Sequence, residues 1–574
     1  MEPVFLFICA HFCYSLRVIK ESIEQAVKAA LHELGAGEAS FVVSRPSEMA
    51  HGDFATNAAL SAAKALKKNP REVAEMLVKN LSSSTILGAV SKIETAGAGF
   101  INFFLSKDAI GKEVYSAADD DMYGKNNLYA GKEIMVEYTS PNLFKPLHIG
   151  NLVGNVLGES IARILEASGA AVHRVNYPSD IGLTVAKGVW GLSKNNLDPK
   201  DIAQLGKAYV VGNAAYEDGT AKLEIEEINR ALYEDSNPEW SALRTEGIET
   251  SKKHLDELCK KLGTTFDRVF FESQSGPLGR DIVTEHIGKV FEKSEGAVVF
   301  HGAHTRVFLN SQGLPTYEAK EVGLFDLKSK AYPNFDLSIT VTGSEQKEFF
   351  TVVFDAITKV FPEQTAGKTL LHISNGFLKL TTGKMSSRLG NVITGESLIE
   401  DLQNEAKEKM EGRELKNPNE VAEQVAIGAI KYTVLKQGSG KDIVFDPEKS
   451  LSLEGDSGPY LQYAHTRALS LIREAKKAGI SAQISDTPVS GAREILARII
   501  LHFPDAVARS ARELEPHHVT TYLTELASTF NSWYASERLI GGENPEFGLL
   551  LTEATEKILA QGLDMLAIRA PEKM

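Results

Sequence analysis

Between residues 134 and 176 the chain reads strand, helix, strand, and this unit constrains the fold more than any other stretch. Residues 134–138 form an apolar run suited to a buried strand. Leu152, Val156, Leu157, Ile161, Ile164 and Leu165 then share one helical stripe that Gly169 ends, and residues 172–176 read as a second strand. A strand–helix–strand order within about 45 residues closes as a parallel crossover, so the expected architecture is α/β with a Rossmann-like parallel sheet. Open parallel sheets bind ligands beyond the carboxyl ends of their strands. The loop 140–146 and the helix start behind it are therefore the first place to look for chemistry.

At roughly 100–200 residues per domain, 574 residues predict three or four domains. Ile19, Ile23, Val27, Leu31 and Leu34 repeat at helical spacing until Gly35. Asn69-Pro70 reads as an N-cap and first-turn proline ahead of Val73, Met76, Leu77 and Leu81. Gly97-Ala98-Gly99 marks a turn before the alternating Ile101, Phe103 and Leu105. This gives an α+β domain over 1–115, patterned from 18 onward. The sheet domain is expected over 120–395. It is interrupted by a polar, largely helical stretch from 192 to 262, the whole insertion reaching about 300, with strands near 269–271, 298–300 and 337–341. A connecting helical segment over 396–455 and an all-α bundle over 456–574 follow. The bundle carries the stripe Tyr522, Leu523, Leu526, Phe530, Trp533, Tyr534, in which Phe530 and Trp533 are expected to be core. The apolar segment 1–15 carries Glu2 in place of a basic patch and no cleavage-site pattern, which argues against a secretion signal. It is expected to be poorly ordered, or the product of a start placed too far upstream.

A formal net charge of −14 argues against non-specific coating of DNA but leaves RNA open, since binding depends on where basic side chains cluster. No apolar run reaches the ~18 residues that span a bilayer. Cys9, Cys13 and Cys259 cannot form a disulfide framework, and no Cys/His set has zinc spacing. A reducing cytoplasm and no structural metal are the expectations.

His148-Ile149-Gly150-Asn151 sits where the loop enters the helix. A helix start offers unpaired N–H groups and partial positive charge to a phosphate. His148 can donate to a phosphate oxygen, and Gly150 leaves room for a flat base. Alone, a histidine before a helix is more often a cap. Far downstream, Lys384-Met385-Ser386-Ser387-Arg388 is a basic, hydroxyl-rich loop able to clamp a triphosphate as pyrophosphate departs. Alone, it is more often a solvated surface loop.

The pair together resembles the class I aminoacyl-tRNA synthetases, whose paired signatures are His-Ile-Gly-His and Lys-Met-Ser-Lys-Ser. Asn151 replaces the second histidine, and Ser387-Arg388 replaces the Lys-Ser ending. Within that class the chain is similar to the arginyl branch. The resemblance rests on His51-Gly52-Asp53-Phe54-Ala55-Thr56-Asn57 and Ala98-Gly99-Phe100-Ile101-Asn102, on Val136-Glu137-Tyr138-Thr139-Ser140-Pro141-Asn142 leading to Lys145-Pro146-Leu147-His148, on Gly455-Asp456-Ser457-Gly458-Pro459-Tyr460-Leu461-Gln462-Tyr463-Ala464, and on the terminus Ala570-Pro571-Glu572-Lys573-Met574.

The resemblance implies a tRNA-contacting amino-terminal domain, a catalytic domain and an anticodon-binding bundle, acting on arginine, ATP with Mg²⁺, and tRNA(Arg), with a monomer expected. It implies catalytic and ATP-binding roles for His148, Gly150, Asn151, Lys384, Met385, Ser386 and Arg388. It also implies an arginine site of Glu137, Asn142, Tyr317, Glu321 and Gln346, with Tyr460, Gln462 and Tyr463 against anticodon bases. Asp180 either lines that site or caps Ile181. The physics suits arginine, whose planar fork of five donors pairs bidentately with carboxylates. The competing readings are another class I synthetase, which amino-acid-dependent pyrophosphate exchange separates, a tRNA-binding relative without catalysis, and a simple nucleotidyltransferase that would leave the helical bundle without a task.

Overall fold

The computed structural model describes residues 16–46, 48–82, 88–381, 394–484 and 491–574. The segment 1–15 and the residues Lys384, Met385, Ser386 and Arg388 lie outside the described residues. The chain groups into two compact units. One holds the amino-terminal part to Lys125 with 463–508 and 521–562, and the other holds 126–462 with 509–520 and 563–574.

In the first unit the helices Leu16–Glu33 and Pro70–Leu81 form where the apolar spacing predicts them. The Asn69 side chain accepts the N–H of Arg71 at 2.9 Å and so caps the second helix. The strands β1 (Val43–Ser44), β2 (Phe54–Thr56), β3 (Val90–Ala96) and β4 (Phe100–Leu105) form an antiparallel sheet in the order β1-β2-β4-β3. Gly97 and Gly99, both at positive φ, turn β3 into β4. Arg45 pairs bidentately with Glu525, at 2.7 and 2.9 Å, joining this sheet to the helix His517–Ser536. As the stripe predicts, Phe530 and Trp533 of that helix are buried, with ring centroids 5.8 Å apart.

The second unit is built on a parallel sheet. Among the described residues, β5 (Glu133–Glu137), β6 (Ala171–Asn176), β7 (Arg268–Val269), β11 (Leu337–Gly343) and β12 (Thr369–Asn375) lie in the order β12-β11-β5-β6-β7, every pair parallel. From β5 the chain first winds outward through β6 and β7, then returns to lay β11 on the other side of β5. The order therefore reverses between β5 and β11, and a crevice opens at their carboxyl ends. The helix Ile149–Ala167 crosses from β5 to β6 against the sheet. Its Gly158 permits the approach, because a Cβ there would fall 2.3 Å from the Tyr138 ring.

Three expectations need correction. The helical stretch expected over 192–262 forms, but the insertion does not run on to 300, because β7 belongs to the parallel sheet. Helices Ile202–Glu217, Lys222–Glu234 and Pro238–Lys261 precede β7, and the helix Glu272–Glu285 follows it. The apolar run 298–300 lies in a separate antiparallel sheet of β8 (Glu292–Ser294), β9 (Ala297–His301) and β10 (Thr305–Leu309), which packs Phe291, Phe300 and Phe308 together. The segment 396–455 is not wholly helical either, since β14 (Ile443–Phe445) pairs in parallel with β13 (Leu378–Leu380).

Candidate active site

At the end of β5 the backbone leaves ordinary conformations. Thr139 (φ 74°), Ser140 (φ 38°) and Phe144 (φ 69°) all adopt positive φ. Each such residue costs on the order of 1–3 kcal/mol and persists only if its surroundings hold it. The crossover helix and its neighbours do the holding. Asn151 donates from Nδ2 to the Thr139 carbonyl at 2.8 Å, and Asn155 donates to Thr139 Oγ1 at 2.9 Å. Asn176 Oδ1, at the end of β6, accepts the Ser140 N–H at 3.1 Å, and Ser251 Oγ accepts that of Phe144 at 3.1 Å. Strain thus concentrates at the crevice and is offset by four side chains.

His148 is the N-cap of the helix Ile149–Ala167, and its Nδ1 accepts the Gly150 N–H at 3.1 Å. That bond needs a lone pair on Nδ1, so the neutral ring carries its proton on Nε2 as a free donor. Partial burial, and then the Lys145 charge, hold its pKa below the usual 6.5. His148, Gly150 and Asn151 line a cavity of about 380 Å³ with Thr342, Gly343 and Asn375 from the ends of β11 and β12. After the undescribed 382–393, the chain resumes beside this motif. Thr394 bridges to His148, the Gly395 N–H donates to the Leu147 carbonyl at 2.9 Å, and Glu396 Oε1 accepts the Leu147 N–H at 3.2 Å.

A second cavity of about 410 Å³ adjoins the first and shares Ser140, Thr342, Glu345 and Gln346 with it. Its lining brings together Glu137, Asn142, Tyr317, Glu321 and Gln346. Glu137 ends β5, Asn142 bridges to Ser179, Tyr317 and Glu321 stand on the first turns of the helix Tyr317–Ala331, and Gln346 closes the short turn after β11. Tyr317 is exposed at the mouth, with the Lys320 ammonium 5.0 Å from its ring. The Glu321 side chain is half-buried and lines the cavity. Burial first, then the like charge of Glu137, push its pKa well above the usual 4.5, while Lys328 pulls it down.

Sequence reasoning missed the charged partners around this cavity. Lys328 pairs with Glu137 at 2.8 Å, Lys320 with Glu272 at 2.6 Å, and Arg306 with Glu318 at 3.2 Å. Asp180 takes neither role read for it. It is buried, accepting from Arg244 at 2.7 Å and from the Ser273 N–H and Oγ–H at 2.9 and 2.6 Å, where it anchors the start of the helix Glu272–Glu285.

Of the three residues expected against anticodon bases, Gln462 requires correction. It is fully buried and donates to the carbonyls of Gln424 and Arg569 at 3.0 and 2.8 Å, so its amide ties backbone segments together and faces no base. Tyr460 and Tyr463 are half-buried. The Arg467 guanidinium lies 4.7 Å from the Tyr463 ring and 4.8 Å from that of the exposed Tyr534.

Three family models match the chain: an arginyl tRNA synthetase N terminal domain over 17–105, the catalytic domain of tRNA synthetases class I (R) over 114–447, and a DALR anticodon binding domain over 461–574. An arginine–tRNA ligase of Treponema denticola is 30% identical, covering 89% of this chain and 91% of its own. One of Clostridium perfringens is 30% identical, covering 97% and 99%. The solved arginyl-tRNA synthetase of Thermus thermophilus shares the fold with a TM-score of 0.79, at 24% identity, over 97% of this chain and all of the other.

Proposed function

The chain belongs to the arginyl-tRNA synthetase family, and from that premise we propose that its two adjoining cavities activate arginine with ATP and pass it to tRNA(Arg). The observation that carries this reading is their adjacency. A carboxylate-lined cavity for the guanidinium and a helix-start cavity for the triphosphate share one wall at the carboxyl ends of β5 and β11.

The arginine carboxylate attacks the ATP α-phosphorus, pyrophosphate leaves, and the terminal ribose hydroxyl of the tRNA then takes the arginyl group. Neither step needs a covalent enzyme nucleophile, so positioning and charge stabilisation carry the rate. Glu137 and Glu321 bind the guanidinium, Tyr317 lies over it, and Asn142 and Gln346 hold the backbone groups. His148 donates from Nε2 to phosphate, with Gly150 giving room for the base. Asn151 acts by clasping the strained Thr139, the reading its bond to that carbonyl supports. Lys384, Ser386 and Arg388, with Met385 beside them, supply cations and hydroxyls to the triphosphate. In favour of this, the chain following them resumes against His148. Mg²⁺ arrives with ATP, bound mainly by phosphate oxygens and water. Tyr460 and Tyr463 contact the anticodon. As the resemblance implies, tRNA is required for adenylate formation, and the enzyme works as a cytoplasmic monomer.

Aminoacylation of bulk tRNA with each of the twenty amino acids tests this. Arginine alone should be charged. Charging of a different amino acid would overturn the substrate assignment, and tRNA binding without any charging would make the chain an inactive relative.

A further inference from the structure

Lys328 stands behind the arginine cavity without lining it. Its Nζ lies 2.8 Å from Glu137 Oε2, with the two side chains 6% and 3% exposed. It sits seven residues after Glu321 on the helix Tyr317–Ala331, two turns along the same face. Two carboxylates sharing an enclosed site repel, and one of them tends to take up a proton unless a cation intervenes. The neighbouring charges are already matched, Lys320 with Glu272 and Arg306 with Glu318. Glu345 lines the wall shared with the other cavity, and at the closed end Glu137, Glu321 and Lys328 make two negative charges against one positive.

We propose that Lys328 is a positioning residue for arginine: its ammonium fixes Glu137 and offsets the repulsion between Glu137 and Glu321, so that the subsite stays one positive charge short of neutral and accepts a guanidinium. Lys328 takes only Oε2 of Glu137, which leaves Oε1 and the Glu321 carboxylate to the planar donors of the substrate. The titratable and charged groups around the two carboxylates are Glu272, Glu318, Glu345, Tyr177, Tyr317, Lys320, Arg306 and Lys328 itself. Lys320 and Arg306 are held by Glu272 and Glu318, whereas Lys328 bonds Glu137, so its removal pushes the Glu321 carboxyl further above 4.5 and favours the protonated form, which binds a guanidinium poorly. The inference rests on the assignment of this cavity to arginine.

The test is the pH dependence of KM in tRNA-supported ATP–pyrophosphate exchange. KM for arginine rises as pH falls through the protonation of Glu321. In Lys328→Met that limb should move to higher pH by about one unit, a tenfold higher KM at a fixed pH on the limb, with KM for ATP within about twofold of wild type. Lys328→Arg should return the limb to near its original position. An unshifted limb, or equal rises in both KM values, would overturn the proposal. Losing one partner of a buried pair can unfold a protein, so Lys328→Met/Glu137→Gln, which removes both charges, is measured beside it. With one carboxylate left unopposed by another, its arginine KM should be raised and its limb should lie below that of Lys328→Met. An arginine KM equal to wild type would sink the idea. Glu137→Gln separates this failure from that of the underlying reading. If it leaves KM for arginine unchanged, the cavity is not the arginine subsite, whatever Lys328 does.

Discussion

At the scale of single residues, the first expectation concerns His148. Its ring must be neutral to accept the Gly150 N–H and keep a proton on Nε2, and both burial and Lys145 depress its pKa below 6.5. The neutral form is thus present above a depressed pKa and lost as pH falls through it. Lys145→Met removes the repulsive charge, so the acid limb of adenylate formation should shift to higher pH while its shape is kept. A limb that stays in place would separate it from His148. A second expectation belongs to Lys384. Lys384→Ala should lower adenylate formation on the order of 10³-fold or more while tRNA affinity in a filter-binding assay changes little. Lost tRNA binding with unchanged chemistry would refute the role. The sequence marked these residues because each sits in a local pattern, and Glu137, Asn142, Tyr317, Glu321 and Gln346 were reached through resemblance. Lys328 and Glu272 carry no such mark. The partner of Glu137 is 191 positions away and that of Lys320 is 48, and no periodicity or spacing encodes an ion pair made across a folded sheet.

At the scale of elements, the crossover unit was legible because the helix carries a continuous apolar stripe and the preceding strand an Ile-Met-Val core, both ended by turn residues. The edge strand Thr369–Asn375 was not. Its residues are mostly half-exposed, and its Leu-Leu-His-Ile core has neither clean alternation nor an uninterrupted apolar run. The strand Glu292–Ser294 is three exposed polar residues that exist as a strand only because β9 supplies hydrogen-bond partners. The glycine in the crossover helix was likewise silent, although it sets how closely that helix approaches β5. Gly158→Ala would place a Cβ 2.3 Å from the Tyr138 ring. The helix must then back away from the sheet, carrying Asn151 and Asn155 off Thr139. The expected cost is about 1–3 kcal/mol of overpacking, read as a lower denaturant midpoint, with adenylate formation falling further than stability alone explains. A variant as stable and active as wild type would show that the contact tolerates a methyl group.

At the scale of the molecule, chain order and compact units diverge. The anticodon-domain match runs from 461 to 574, yet residues 563–574 pack with the parallel-sheet unit. Ser160 donates to the Met565 carbonyl at 3.0 Å and Arg163 pairs with Asp564 at 2.6 Å, both from the crossover helix. Lys431, fully buried, donates to the carbonyls of Leu262 and Ala567. Sequence patterning could not reveal this, because a lysine inside an apolar helix stripe looks like an interruption until its carbonyl partners are seen. Burial pushes the Lys431 pKa down from 10.5 to about 7. An unfolded chain keeps that proton up to about 10.5, whereas the folded chain releases it near 7. Between these values the unfolded state binds more protons, so the Lys431 contribution to stability rises with pH, is complete above the unfolded pKa and is lost as pH falls through the folded one. In Lys431→Met the two carbonyls lose their donor, at a cost of about 1–3 kcal/mol each if left unpaired. The slope of stability against pH should also flatten relative to wild type between pH 7 and 10. Urea midpoints measured across that range decide the matter. A variant that is merely less stable, with an unchanged slope, would mean that Lys431 keeps its proton and holds the carboxyl-terminal segment as an ammonium throughout.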